Sequence, residues 1–303
     1  MIIRPRPHWL AILFARRGSV LPSILPQLGL VTALATIITT SHGTVLGWKT
    51  PLTPMPFTLV GIALAIFLGF RNSASYDRYW EARKFWGQGL NECRTLTRQA
   101  LSLMDGQVDV RPFVYGQIAF IHALRGYLRR VPVERELAAL LPAELLARMR
   151  EAHYPPTLIL VWLGQWLHEQ RRAGHLQAVL AAKMEDALSG LNQVQGGCER
   201  IVSSPIPFAY TVILYRTVGV YCLLLPFGLV DTLGWMTPLV TAFVSYTFFA
   251  QETLLSEIEE PFGNAENDLP LDALSITIER TLREMLGEAT LPDMPAAKDF
   301  VLT

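Results

Sequence analysis

The stretch Gly61–Gly87, GIALAIFLGFRNSASYDRYWEARKFWG, constrains this chain most, because one helical pattern changes its surroundings partway along. Before Arg71 it is apolar and carries two stripes. Gly61, Ala65 and Gly69 form a small-residue stripe; Ile62, Ile66 and Phe70 form a bulkier one, about 100° round the helix. Small residues four apart let another transmembrane helix approach closely. The bulky stripe beside them can face lipid, a neighbouring helix or a water-filled axis. From Arg71 the pattern turns polar, charged and aromatic, with no Gly or Pro before Gly87. A helix that leaves a membrane and continues into water satisfies both halves.

The rest of the chain agrees with a membrane setting. From Gly18 to Trp48 there is no Asp, Glu, Lys or Arg. Charged residues make up only 17% of the 303 positions and hydrophobic ones 51%, against about 25% charged in ordinary soluble domains. The expected architecture is an all-α membrane protein. Residues 1–105 would hold an interfacial helix over 1–17, spans at 26–47 and 56–72, and a continuation of the second span to Asp105. A helical cytosolic domain would occupy 106–205, with amphipathic runs at 111–130, 133–150, 158–172 and 176–200. Two further spans at 206–230 and 236–255 fill 206–256. A tail over 257–303 carries an amphipathic helix near 272–287. Arg4, Arg6, Arg16 and Arg17 flank the first span, and Arg71, Arg78, Arg83 and Lys84 follow the second. The two short connectors contribute only Lys49. By the positive-inside rule both termini and the middle domain are cytoplasmic, and with no cleavable signal sequence the expected location is a bacterial inner membrane.

Several function classes drop out. Zero net charge and the lack of a basic, aromatic-interleaved run beyond the segment above give no nucleic-acid partner. His168-Glu169 begins a zinc-protease pattern, but its second ligand position is Arg172. No phosphate-binding loop, GxGxxG or GxSxG is present, so nothing points to an enzyme. Cys93, Cys198 and Cys222 have no metal-ligand spacing and read as free thiols.

Three segments in order carry a resemblance: FRNSASYDRYWEARKFWG at 70–87, SSPIPFAYT at 203–211 and EEPFGNAENDLPLD at 259–272. The chain resembles the bestrophin family. That resemblance implies a homopentameric ion channel in the lipid bilayer, with four transmembrane helices per subunit and the second lining an axial pore. Ile62, Ile66 and Phe70 then form a hydrophobic neck, able to gate by dewetting, and Asn72 and Ser73 lie in the vestibule beyond it. A second, cytosolic constriction is expected at Leu180 or a neighbour such as Leu176. Permeating ions would be small and monovalent: chloride by analogy with the animal members, while vestibule carboxylates could instead draw cations. Animal members bind activating calcium at an acidic cluster matching the third segment. Here Glu266, Asp268 and Asp272 would be the ligands, but Asn264 and Asn267 interrupt the carboxylates, and helix capping competes for them. Apart from calcium, no cofactor is expected.

Bland roles compete elsewhere. Trp80, Glu81, Arg83 and Trp86 suit interfacial anchoring and salt bridges, with Arg78–Glu81 and Glu81–Lys84 at pairing distance on a helix. Arg216 is followed by only 14 uncharged residues, Thr217 to Val230. At about 1.5 Å per residue these span less than the ~30 Å hydrocarbon core, so an anchor at the inner headgroups is expected. Two rival functions remain, a secondary transporter and a non-conducting membrane scaffold or sensor. The first calls for repeats or broken polar helices at mid-membrane, and the sequence has neither.

Overall fold

The computed structural model describes the chain apart from residues 4–7, 9, 11, 13, 14, 16, 17, 46, 47, 50 and 51. The interfacial helix expected over 1–17 therefore lies largely outside the described residues. Among the described residues the regular structure is helical apart from a two-residue antiparallel pair, Thr44–Val45 with Trp48–Lys49, and isolated bridges where the chain ends meet. In chain order the helices are α1 (Leu21–Thr40), α2 (Pro54–Leu103), α3 (Arg111–Arg129), α4 (Glu134–Ala138), α5 (Ala143–Arg150), α6 (Pro155–Arg172), α7 (Ala178–Ser203), α8 (Phe208–Leu233), α9 (Thr237–Glu259) and α10 (Leu271–Met285). Among the described residues three helical runs are long and apolar enough to cross a membrane: α1, α2, and Phe208–Glu259, which is α8 and α9 joined by a 3-10 turn at Gly234–Met236.

The first span starts and stops earlier than its apolar run suggests, at 21–40 instead of 26–47. Pro22 sits in the first turn, where backbone N–H groups have no intrahelical partner to lose, and Pro26 follows inside the helix. The stop comes from backbone conformation. His42 and Gly43 have φ of 48° and 74°, and the Gly43 N–H closes onto the Ile38 carbonyl at 2.9 Å, a left-handed cap of the kind that ends helices. Hydrophobicity alone does not report that cap. The run expected over 133–150 is likewise split into α4 and α5 around Leu140–Pro142, since Pro142 cannot continue a helix from its N-terminal side.

Contacts divide the chain into two compact units. One lies within 4–79 and 205–260 and contains α1, the first half of α2, α8 and α9. Its core joins Val31, Leu64, Leu68, Leu214, Val218, Cys222 and Leu255. Tyr221 packs edge-on to Phe248 at 5.4 Å, and its hydroxyl sits 3.0 Å from where a Cβ on Gly61 would be.

The other unit comprises residues 1–3, 80–204 and 261–303. At its centre α3 is buried nearly all round, including Phe113, Ile118, Phe120, Ile121 and Leu124. In water each such side chain contributes about 1.5–3 kcal/mol of burial. Helix α3 also buries polar groups, several of which reach partners on other elements. Thr97 donates to Gln117 at 3.3 Å, and Arg125 pairs with Glu136 and Asp272. Helix α7 closes onto the second half of α2 through glycines. A Cβ on Gly197 would lie 2.2 Å from the Phe85 ring, and one on Gly190 2.6 Å from the Glu92 carboxyl carbon. The chain ends meet here: Met1 bonds Leu302 and Ile3 bonds Phe300. The three cysteines are buried and free.

Candidate pore helix and the charges behind it

The first half of α2 has one buried face and one open one. Leu64, Leu68, Arg71 and Ser75, spaced four, three and four apart, are buried. Ile62, Ile66 and Phe70 are 54–71% exposed, on a different side of the same turns. The bulky stripe is thus not consumed by packing within the chain. Of the small stripe, only Gly61 meets a neighbour, Tyr221; Ala65 is exposed, and nothing lies within 4 Å of a Cβ built on Gly69. Asn72 and Ser73 are exposed, and the Ser73 hydroxyl bonds back to the Gly69 carbonyl at 3.3 Å.

Arg71 directly follows the bulky stripe, yet its side chain turns away from it and is 3% exposed. Its Nη2 donates to Ser256 Oγ and Glu259 Oε2, both at 3.3 Å, and Nη1 lies 3.6 Å from Glu252 Oε1. Arg78, two turns on, donates from Nε to the Glu259 carbonyl at 3.2 Å. A guanidinium out of water needs charged partners, because removing them leaves an uncompensated buried ion. Here the last two turns of α9 supply them. The sequence marks Arg71 as the point where the helix changes character and as one of the positive charges that set orientation, not as a buried ion-pair centre. The signal for its role was available: Glu252, Ser256 and Glu259 are four and three apart, hence on one face at the end of the fourth apolar run.

Other expected positions fall apart from one another. Glu81 pairs with Arg200 of α7, a partner 119 positions away, so its carboxylate is held by tertiary structure and not only by its own helix. Arg216 is exposed on α8. Leu180 is half-buried and Leu176 buried, at the start of α7 and just before it. Asp272 is gripped by Arg125 at 3.1 Å and Arg129 at 2.7 Å. Asp268 is buried and its Oδ2 accepts the Ala265 N–H at 2.6 Å. Among the described residues no three His, Cys, Asp or Glu gather closely enough to hold a metal. Glu266, Asp268 and Asp272 are therefore not brought together as a calcium donor set: a guanidinium pair occupies one carboxylate and a backbone turn another.

In the second unit the tail is attached to α3 by charge. His122 Nε2 lies 2.8 Å from Glu279 Oε2, and Arg283 donates to Glu279 Oε1 and Glu288 Oε2, each at 2.8 Å. His122 Nδ1 is buried without a hydrogen-bond partner, so the pair is made through Nε2 alone. Burial alone would push the Glu279 carboxyl up. Hydrogen bonds and charge from His122 and Arg283 outweigh it and hold the group below its ordinary value.

Comparison with known proteins agrees along nearly the whole chain. The family described as Bacterial/Fungal Bestrophin protein matches residues 1–284. A voltage-dependent anion channel-forming protein of Ralstonia nicotianae is 48% identical over 305 residues, covering all of both chains. One of Escherichia coli K12 is 45% identical over 294 residues, 96% of each chain. The crystal structure of a bacterial bestrophin homologue from Klebsiella pneumoniae superimposes with a TM-score of 0.85 at 42% identity, covering 88% of this chain and 100% of that one.

Proposed function

This chain belongs to the bacterial and fungal bestrophin family, and from that premise we propose that it forms a homopentameric channel for small monovalent ions in the bacterial inner membrane. In this reading α1, α2, α8 and α9 are the four spans and both termini are cytoplasmic. The second span of each subunit faces a common axis. Ile62, Ile66 and Phe70 form its neck, Asn72 and Ser73 the vestibule wall just beyond, and Leu180 a second narrowing. The observation that carries it is the exposure of that bulky stripe on a helix whose other face is packed. A closed ring of such helices buries the stripe on its axis, where apolar side chains resist wetting and so control passage.

Anions are the primary reading, following the names of the relatives. A cation preference is the second, and one observation favours it. Arg71, the charge adjoining the neck, is buried against two carboxylates and presents no positive field to the axis. Purified protein in planar bilayers under an NaCl gradient tests both. Unitary currents reversing toward the chloride potential support the first, and reversal toward the sodium potential the second. Ile66→Ala should raise unitary conductance by widening the neck. Unchanged unitary current in alanine variants at 62, 66 and 70 would remove the pore assignment, and a saturable flux without discrete steps would favour a transporter.

A further inference from the structure

Past Trp80, helix α2 sorts its charges by side. Residues 80–103 hold four cations, Arg83, Lys84, Arg94 and Arg98, and two carboxylates, Glu81 and Glu92. Both carboxylates turn to α7. Glu81 pairs with Arg200 at 2.5 Å, and the carboxyl of half-buried Glu92 lies against Gly190, 2.6 Å from where a Cβ would stand. All four cations stay exposed, and none forms an ion pair among the described residues. Arg125, Arg129, Arg200 and Arg283 of the same unit are each held by a carboxylate instead. Trp80, Lys84, Gly87, Asn91, Arg94 and Arg98 are spaced four and three apart, hence on one helical face, and Arg83 flanks it. That face carries only positive charge, over about 22 Å from Arg83 to Arg98 at about 1.5 Å per residue. Arg94 and Arg98, four apart, repel one another on the helix, and an anion between them relieves the repulsion.

We propose that this face attracts small anions and, as a vestibule wall, gives the channel an anion preference that its apolar neck does not supply. The role as a vestibule wall rests on the proposed channel; the attraction itself does not. By helical repeat alone, Lys84, Asn91 and Arg98 fall within about 40° of Ile62 and Ile66, at about 100° per residue. A helix that turns those two toward an axis turns the cations the same way. Repeated in each subunit, they stack as rings of Lys and Arg, the arrangement that draws anions into a pore. Lipid phosphates fit the face poorly. Arg94 and Arg98 lie about 34–40 Å along α2 beyond Arg71, several Debye lengths from headgroups at that level.

The test uses the full chain and two triple variants. Lys84→Gln/Arg94→Gln/Arg98→Gln strips the face. Arg148→Gln/Arg171→Gln/Arg172→Gln removes the same charge from exposed, unpaired positions of α5 and α6. Trp80, half-exposed at the start of the face, reports the local field in lipid nanodiscs. Its share of the fluorescence, taken as the difference from Trp80→Phe, is quenched by iodide and by neutral acrylamide. At low salt the ratio of iodide to acrylamide quenching should fall about twofold or more in the first variant and hold in the second. The difference should vanish in about 1 M salt. In planar bilayers under an NaCl gradient, the chloride-to-sodium permeability ratio should fall about threefold or more in the first variant alone. An unchanged iodide ratio overturns the proposal. So does loss of the oligomer in the first variant, read by light scattering, which would make the face a contact between copies. Charge-dependent quenching in a protein that passes no current removes the channel reading and leaves the anion-attracting face standing. Charge-dependent quenching with an unmoved permeability ratio in a conducting channel overturns the role in selectivity.

Discussion

Residues 54–79 and 80–103 of α2 belong to one continuous helix but are held in different ways. The first part buries a narrow face, Leu64, Leu68, Arg71 and Ser75, and leaves Leu59, Ile62, Ile66, Phe67 and Phe70 more than half exposed. The second part buries Ala82, Trp86, Cys93, Leu96, Thr97 and Ala100 against its own chain, with glycines of α7 admitting the close approach. A soluble monomer rarely leaves an apolar strip of the first kind open to water. The difference separates the part of the helix finished by its own fold from the part left open, which in the proposed channel would meet lipid or further copies. It also shows that the finished part relies on shape, whereas the other is pinned by one buried cation.

The largest effect expected follows from that cation. Arg71→Ala should leave Glu252 and Glu259 buried without a counter-charge, and breaking such a pair costs about 3–5 kcal/mol. Thermal unfolding of purified protein should show a large fall in midpoint; an unchanged midpoint would mean the cluster is not structural. Two bulk changes then sharpen the contrast. Gly197→Ala puts a methyl into the Phe85 ring, and overpacking of this kind costs about 1–3 kcal/mol, read as a lower midpoint of the folded chain. Ala65→Leu meets nothing comparable within the chain, so its cost of about 1–3 kcal/mol per contact should fall on the assembly alone. Light scattering after size exclusion should find a weakened or lost oligomer for Ala65→Leu, with Leu34→Ala on the first span as the unaffected control. An intact oligomer with normal conductance in Ala65→Leu would place the small stripe against open space.

What the sequence made legible was periodic. The apolar runs, the change at Arg71 and the amphipathic helices from 106 to 200 follow from spacing, and the structure has helices in each of these regions. What stayed hidden depends on contacts far apart in the chain or on single backbone angles. The stop at Thr40 rests on left-handed His42 and Gly43, which look apolar-neutral in a window. Glu81 has local partners on its helix, yet Arg200 takes it. Asp272 sits in an acidic run that reads as a cation site until Arg125 and Arg129 arrive from α3. The spacing of Ile62, Ile66 and Phe70 was legible, but not which surface they face: that they stay exposed on the single chain is seen only in the structure. The proposed role at an axis comes from the family resemblance and would belong to the assembly.

The smallest effect concerns acid, and it separates the two units by their chemistry. The unit containing residues 80–204 attaches its tail through Glu279, whose carboxyl is held below its ordinary value by His122 and Arg283 despite burial. A depressed carboxylate stabilises the fold above its unfolded value, about 4.3. That contribution is lost as pH falls through the lower, folded value, because the unfolded chain binds the proton first. As the pH falls below the unfolded value toward the depressed folded one, the wild-type midpoint should therefore decline. Glu279→Gln keeps the shape and most of the packing but has no proton to take up, so its midpoint at neutral pH should be lower and its decline shallower. Hydrogen exchange should locate the acid-induced opening in α10 and leave the Leu64–Leu68 face of α2 protected. Equal slopes in the two proteins would mean that other carboxylates carry the acid sensitivity and that the tail is held by its apolar face, through Leu271, Ile278 and Leu282, all buried.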